Sequence, residues 1–272
     1  MIVVSQGDDA ATHLGGTIRL WSEAGWRLLC VRVADDASDA HGLSADAARS
    51  ANLKEFRQAA AILGITETIN LNYPAGTLGD LPETELRGAL VGEIRRHRPY
   101  ALATYDPVGA QAGGDMDRYS VARAADQAFG ASQSDLMHPE HLHPIADGVD
   151  VHGCFQRWYF GPGLSDATDH VDITSVIEHK LTAALCHRTK LNGFVNQMAL
   201  QARTGGYRLS IIDQIEAGGS VKPLIETLLK AHGATVGKRC GAEFAEEFKV
   251  VTFGGLGALL EWFGRPLDDQ AS

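Results

Sequence analysis

The sequence predicts an α/β protein with a mostly parallel sheet and helices on both faces. Short β-branched or apolar runs alternate with helix-forming stretches over residues 1–130. The chain has 272 residues, 44% of them hydrophobic, enough for one large core. Two adjacent carboxylates, Asp8 and Asp9, stand where the first strand hands over to a helix, the place where open α/β sheets do chemistry.

Residues 2–4 form a β-branched run that reads as the first strand. Residues 16–24 read as a helix with Ile18, Leu20 and Trp21 at apolar positions, and 28–33 as a second strand. Residues 45–63 are rich in helix formers and stop at Gly64, a C-cap candidate, before a third strand at 69–71. Helices are expected at 84–96 and 120–129, around a strand at 101–105 that leads through Asp106 and Pro107 into a Gly-rich loop ending at Gly114. This spacing calls for parallel crossovers. Residues 132–150 read as a surface loop and 155–160 as an aromatic strand; a helix is expected from Asp172 to about Leu191, with Thr174 as its cap. The expected organisation is one domain over 1–272: a core with the site motifs at 1–130, a loop, extra strand and helices at 131–250, and a tail at 251–272, frayed from Gly264.

A formal charge of -10 lacks the basic footprint that nucleic acid or anionic membrane surfaces require. The expected partner is a small molecule, with homo-oligomerisation left open. Cys30, Cys154, Cys186 and Cys240 are widely spaced, which argues against a zinc ribbon or a disulfide framework. With no charged, apolar leader and no stretch long enough to span a bilayer, the expectation is a cytoplasmic protein.

Gln6-Gly7-Asp8-Asp9-Ala10, followed by Gly15-Gly16-Thr17, resembles the opening motif of the LmbE/PIG-L de-N-acetylase family, His-Pro-Asp-Asp-Glu before Gly-Gly-Thr. Further resemblances follow in order: Ala59 to Gly64, Tyr105-Asp106-Pro107, the helix 121–129, His170 to Thr174, Lys180, His187 against a His-x-Ser-Gln series, and Glu243 to Phe248. The resemblance implies a Rossmann-like fold and a zinc-dependent hydrolase for amides of sugar-like molecules. It also implies that Asp8 is the general base and that positions 6 and 9 are metal ligands, joined by the last His of a His-Pro-Asp-His element. Here position 6 is Gln6. Anchoring on the helix 121–129 lays Asp115-Met116-Asp117-Arg118 over that element, so Asp117 is retained and Arg118 stands in the ligand position. Counting from Tyr105 instead would make Asp115 the retained carboxylate. The family's helix Arg maps to Asn52, with Arg49 one turn earlier as a substitute.

A guanidinium stays protonated. At ~4 Å from a divalent ion, with an effective dielectric near 20, its repulsion is about 8 kcal/mol. Arg118 is therefore expected to replace the ion and pair with Asp9 or Asp117, leaving Asp9 and Gln6 as a metal site that does not hold zinc; no other cofactor is expected. The catalytic candidates are Asp8 and Asp117, and the binding candidates Arg118, Asp115, Tyr105, Asn52 and His187. His138-Pro139-Glu140-His141 spells a near copy of the missing element, but Pro144 follows and no helix continues, so it reads as a surface loop. Three functions stay open: a diverged deacetylase-like hydrolase, a binding protein that kept the fold, and a metal-free acid-base enzyme using Asp8 and Asp117.

Overall fold

The computed structural model describes residues 1–38, 40–143, 147–164 and 166–265. The tail expected to fray from Gly264 lies, beyond Arg265, outside the described residues. The first half alternates strands and helices: β1 (Ile2–Val4), α1 (Asp9–Glu23), β2 (Leu29–Ala34), α2 (Ala45–Leu63), β3 (Glu67–Tyr73), α3 (Glu83–His97), β4 (Ala101–Tyr105), α4 (Pro107–Ala112) and α5 (Met116–Ala131). The second half adds β5 (Gln156–Phe160), β6 (Asp169–Asp172), α6 (Ile177–Ala184), α7 (Arg188–Thr204), α8 (Ser210–Glu216), α9 (Lys222–Cys240), β7 (Ala245–Thr252) and α10 (Gly257–Phe263).

The strands form one sheet in the order β3-β2-β1-β4-β5-β7-β6. β1 to β5 are mutually parallel, whereas β7 runs antiparallel to both β5 and β6. The chain winds outward from β1 through β2 to β3, then returns to place β4 on the other side of β1. The crevice beyond the carboxyl ends of β1 and β4 is thus the switch point of the sheet. Val3, Val4, Val31 and Leu102 lie in the core between the helical layers. Such doubly covered strands read as continuous apolar runs.

Several elements differ from expectation, among them α4, a helix in the stretch expected as a Gly-rich loop. α1 begins at Asp9, not near 16, and is kinked at Leu14 (φ -132°, ψ 21°). The backbone N–H groups of Gly16 and Thr17, freed at the kink, donate to the Glu246 carboxylate at 3.0 and 2.8 Å, and Lys180 Nζ donates to the same group at 2.5 Å. A Cβ on Gly16 would lie 2.6 Å from Ile173, so only glycine lets the kink pack there. The helix expected from Asp172 is instead β6, a 3-10 turn and two helices broken near His187. Pairing of Asp172 with Ala245 adds β6 to the sheet. Thr174 caps no helix; its hydroxyl accepts the Phe244 N–H at 3.1 Å.

The 132–150 segment is a loop carrying a single 3-10 turn among its described residues, and it is pinned from below. Arg95, 1% exposed, donates to the carbonyls of Ser134, Met137 and His138 at 2.6, 2.7 and 2.6 Å. His138 and His141 lie against Gly88 and Gly92 of α3, where a Cβ on Gly88 would come 2.9 Å from the His138 ring.

Candidate functional site

The turn after β1 is built for close approach. A Cβ on Gly7 would meet Phe56 at 3.0 Å, and the Gly7 N–H donates to Asp36 Oδ2 at 3.0 Å. This fixes Gln6 and Asp8 on one side of the turn and drives Asp9 inward. Asp9 is 1% exposed and its carboxylate is fully engaged. Arg118 Nη2 lies 2.8 Å from Oδ1 and His13 Nε2 3.4 Å from the same oxygen. Oδ2 accepts from the Tyr105 hydroxyl and, at 3.3 Å, from the Gln6 N–H. Tyr105 in turn accepts the Ser5 N–H at 2.8 Å. Burial pushes the Asp9 carboxyl up, but the Arg118 guanidinium, with His13 and Lys190, outweighs it and holds the group well below the usual carboxylate range. Asp9 in return holds the Arg118 guanidinium above its ordinary value. Burial, reinforced by Asp9, raises the Tyr105 hydroxyl, so the phenol remains a donor.

Asp8 keeps its side chain about one-fifth exposed, at 20%. Lys190 reaches it from α7: its Nζ accompanies Gln6 Oε1 at 2.6 Å and Asp8 Oδ1 at 3.7 Å. The position of Lys190 is set by the start of its helix, where the Glu55 carboxylate accepts the Thr189 N–H and hydroxyl, both at 3.0 Å. An acidic cap there also suits the helix dipole. His187, immediately before α7, is 3% exposed, and its Nε2 has no hydrogen-bond partner among the described residues. Burial lowers its pKa, against an opposing pull from Asp8.

The other expected residues divide. Arg118 pairs with Asp9 and, at 3.5 Å, with Asp115, which also caps α5 by accepting the Arg118 N–H at 2.9 Å. Asp117 serves elsewhere, being 5% exposed with its two oxygens accepting the N–H groups of Gly76 and Leu78 at 2.6 and 2.9 Å. The carboxylate expected to join Asp8 and Asp9 therefore anchors the loop after β3. Asn52 donates to the Asp36 carbonyl at 2.7 Å, bracing the turn from behind, and Arg49 pairs with Asp35 and Asp46 at 2.8 and 2.6 Å. Among the described residues no group of three or more His, Cys, Asp or Glu side chains converges as a metal set.

Sequence reasoning missed His13 and Lys190. Lys190 had a signal: in His187-Arg188-Thr189-Lys190 it stands where the family's His-x-Ser-Gln series has its Gln. His13, one helical turn beyond Asp9, is a neighbour by the i, i+4 rule once α1 begins at Asp9. Buried Arg32 was also missed; it donates to Asn70 and Asp36, both at 3.0 Å, and so holds the acceptor of the Gly7 N–H.

Residues 1–129 match the family model described as PIG-L: GlcNAc-PI de-N-acetylase. No curated protein matches the chain. Among solved structures it resembles the N,N'-diacetylchitobiose deacetylase from Pyrococcus horikoshii, with 21% identity and a TM-score of 0.72 over 99% of this chain and 87% of that one. It also resembles the conserved protein TT1542 from Thermus thermophilus, with 20% identity and a TM-score of 0.66 over 91% of each chain. A third similar structure is GalB, the 4-carboxy-2-hydroxymuconate hydratase from Pseudomonas putida KT2440, with 17% identity and a TM-score of 0.63 over 99% of this chain and 98% of that one. At these identities the likeness is one of fold. The family-model match covers residues 1–129, and the similar solved structures share the fold of this chain.

Proposed function

We propose that the protein is a hydrolase of the LmbE deacetylase type, acting on an amide or sugar-like small molecule, in which two protein cations stand in place of zinc. The observation that carries this reading is the pairing of Arg118 with Asp9 and of Lys190 with Gln6 and Asp8. The residues at the inherited metal position do not fit zinc. Gln6 turns its amide oxygen to an ammonium, Asp9 has both oxygens engaged, and the third position carries a guanidinium. A divalent ion there would face two cations at close range, a repulsion of several kcal/mol on the order given by Coulomb's law.

Asp8 is the proton-transfer group of this site. It is the accessible member of the carboxylate pair, at the strand end, while Asp9 is committed to holding Arg118. Lys190 places its ammonium beside Asp8 and Gln6, where positive charge favours a carbonyl oxygen gaining charge as water adds. Asp8 takes the proton from that water and returns it to the departing amine. Tyr105 and His13 keep Asp9 fixed, so that Arg118 presents one edge of its fork to the substrate. The same cations suit a substrate carboxylate, which brings water addition to an unsaturated acid into the panel to be tested, as the fold shared with GalB also suggests.

The test is turnover of N-acetylated sugars, simple amides and esters, and unsaturated carboxylates by the wild-type protein and by Asp8→Asn. Asp8→Asn is expected to lower turnover by at least about a hundredfold, the usual worth of a general base, with the melting temperature within a few degrees. Turnover unchanged by Asp8→Asn would overturn the assignment. Ligand binding without turnover in either protein would favour a binding protein on the same fold.

A further inference from the structure

At the opposite, amino end of the sheet, β7 runs past the rim of an open cavity before leading into α10. None of the α10 residues is buried. Leu256, Leu259, Leu260 and Phe263, spaced as one helical face, are 57%, 39%, 37% and 77% exposed. The cavity holds about 450 Å³ and is lined by Trp21, Trp26, Tyr100 and Trp158, with Arg27 and Arg98 among its residues. A run of ring contacts joins the two features: Trp26 to Tyr100 at 5.6 Å, Tyr100 to Phe155 at 5.3 Å, and Phe155 to Phe253 at 6.2 Å, directly before α10. Contiguous apolar surface of this kind marks an interaction site.

Charge selects the occupant. A formal charge of -10 opposes self-association, so two copies meet only where local charges are complementary. The cavity contributes Arg27 and Arg98, and α10 contributes Glu261. Arg27 already pairs with Glu67 at 3.0 Å, whereas the side-chain contact of Arg98 is to the Val151 carbonyl at a long 3.5 Å. We propose that this face is a two-fold interface between copies of the chain: the α10 stripe of each copy seats in the aromatic cavity of the other, with Glu261 against Arg98 of the partner subunit. A helix and a cavity joined through one rim are self-complementary under a two-fold axis. The interface lies at the end of the sheet remote from Asp8, so it does not depend on the proposed chemistry.

Sedimentation over a micromolar concentration series tests this on the full chain. The wild type is expected to dimerise, and Leu260→Asp and Trp26→Asp each to weaken the dimer by at least about tenfold, as loss of a buried anchor does. Glu261→Arg and Arg98→Glu should each weaken it, and the double variant should restore it. A monomer at every concentration would overturn the proposal, including one whose melting temperature falls with Leu260→Asp because α10 covers its own cavity. A dimer indifferent to all four substitutions would overturn it as well.

Discussion

At the carboxyl end of the sheet Asp9 is buried and answered by Arg118, Tyr105 and His13, whereas at the amino end Trp26, Tyr100 and the α10 stripe stand uncovered in the single chain. The difference follows from what each group loses on leaving water. A buried carboxylate must find its partners within the chain, because an unpaired charge in a low dielectric costs several kcal/mol. Apolar rings lose little by remaining wet and gain only when a second surface arrives. The first region is therefore closed within one chain, whereas the second leaves apolar rings exposed in it.

The largest effect is expected at the closed end. Arg118→Met should destabilise the chain by about 3–5 kcal/mol at neutral pH, since it leaves Asp9 charged, buried and short of its main partner. The sign with pH is diagnostic. In the wild type Asp9 is held below its unfolded value, so its contribution is present above pH ~4 and is lost as the pH falls below that. Without Arg118, burial raises the Asp9 pKa, the carboxyl is protonated more readily in the folded state, and the deficit of the variant should shrink as the pH is lowered. Urea unfolding of both proteins across that range would show it; a constant deficit would break the pairing argument. A smaller effect is expected of Asp117→Ala, which strands the Gly76 and Leu78 N–H groups at a cost of about 1–3 kcal/mol. Hydrogen exchange should rise at those two amides and not at Gly7. Smallest is the effect of Leu259→Asp on the isolated monomer, within about 0.5 kcal/mol, because the side chain there is already exposed.

How far the sequence revealed this depended on the range of the interactions. β1 to β4, α2 and α3 follow from local periodicity and appear in place, whereas α1 starts earlier, at Asp9. The pairing of Arg118 with Asp9 was legible as well, because a fixed cation had replaced a ligand beside two carboxylates. The break between α6 and α7 was hidden, since its cause is the distant pairing of β6 with β7 and the use of Thr174 by Phe244. Asp117 looked like a third site carboxylate because its partners are backbone N–H groups, which carry no signature in side-chain identity. Lys190 arrives from far along the chain on a helix whose start is held by Glu55, and only the substitution at the family's Gln position hinted at it.

The central claim, that Arg118 and Lys190 neutralise the carboxylate pair in place of a divalent ion, is tested most directly by metal analysis of protein purified without chelator, combined with melting before and after EDTA. Zinc well below one equivalent per chain and an unchanged melting temperature are expected, with stoichiometric zinc binding regained only when Gln6→His and Arg118→His are combined with Lys190→Gln. One zinc per wild-type chain, removed by EDTA with a clear fall in melting temperature, would contradict the account.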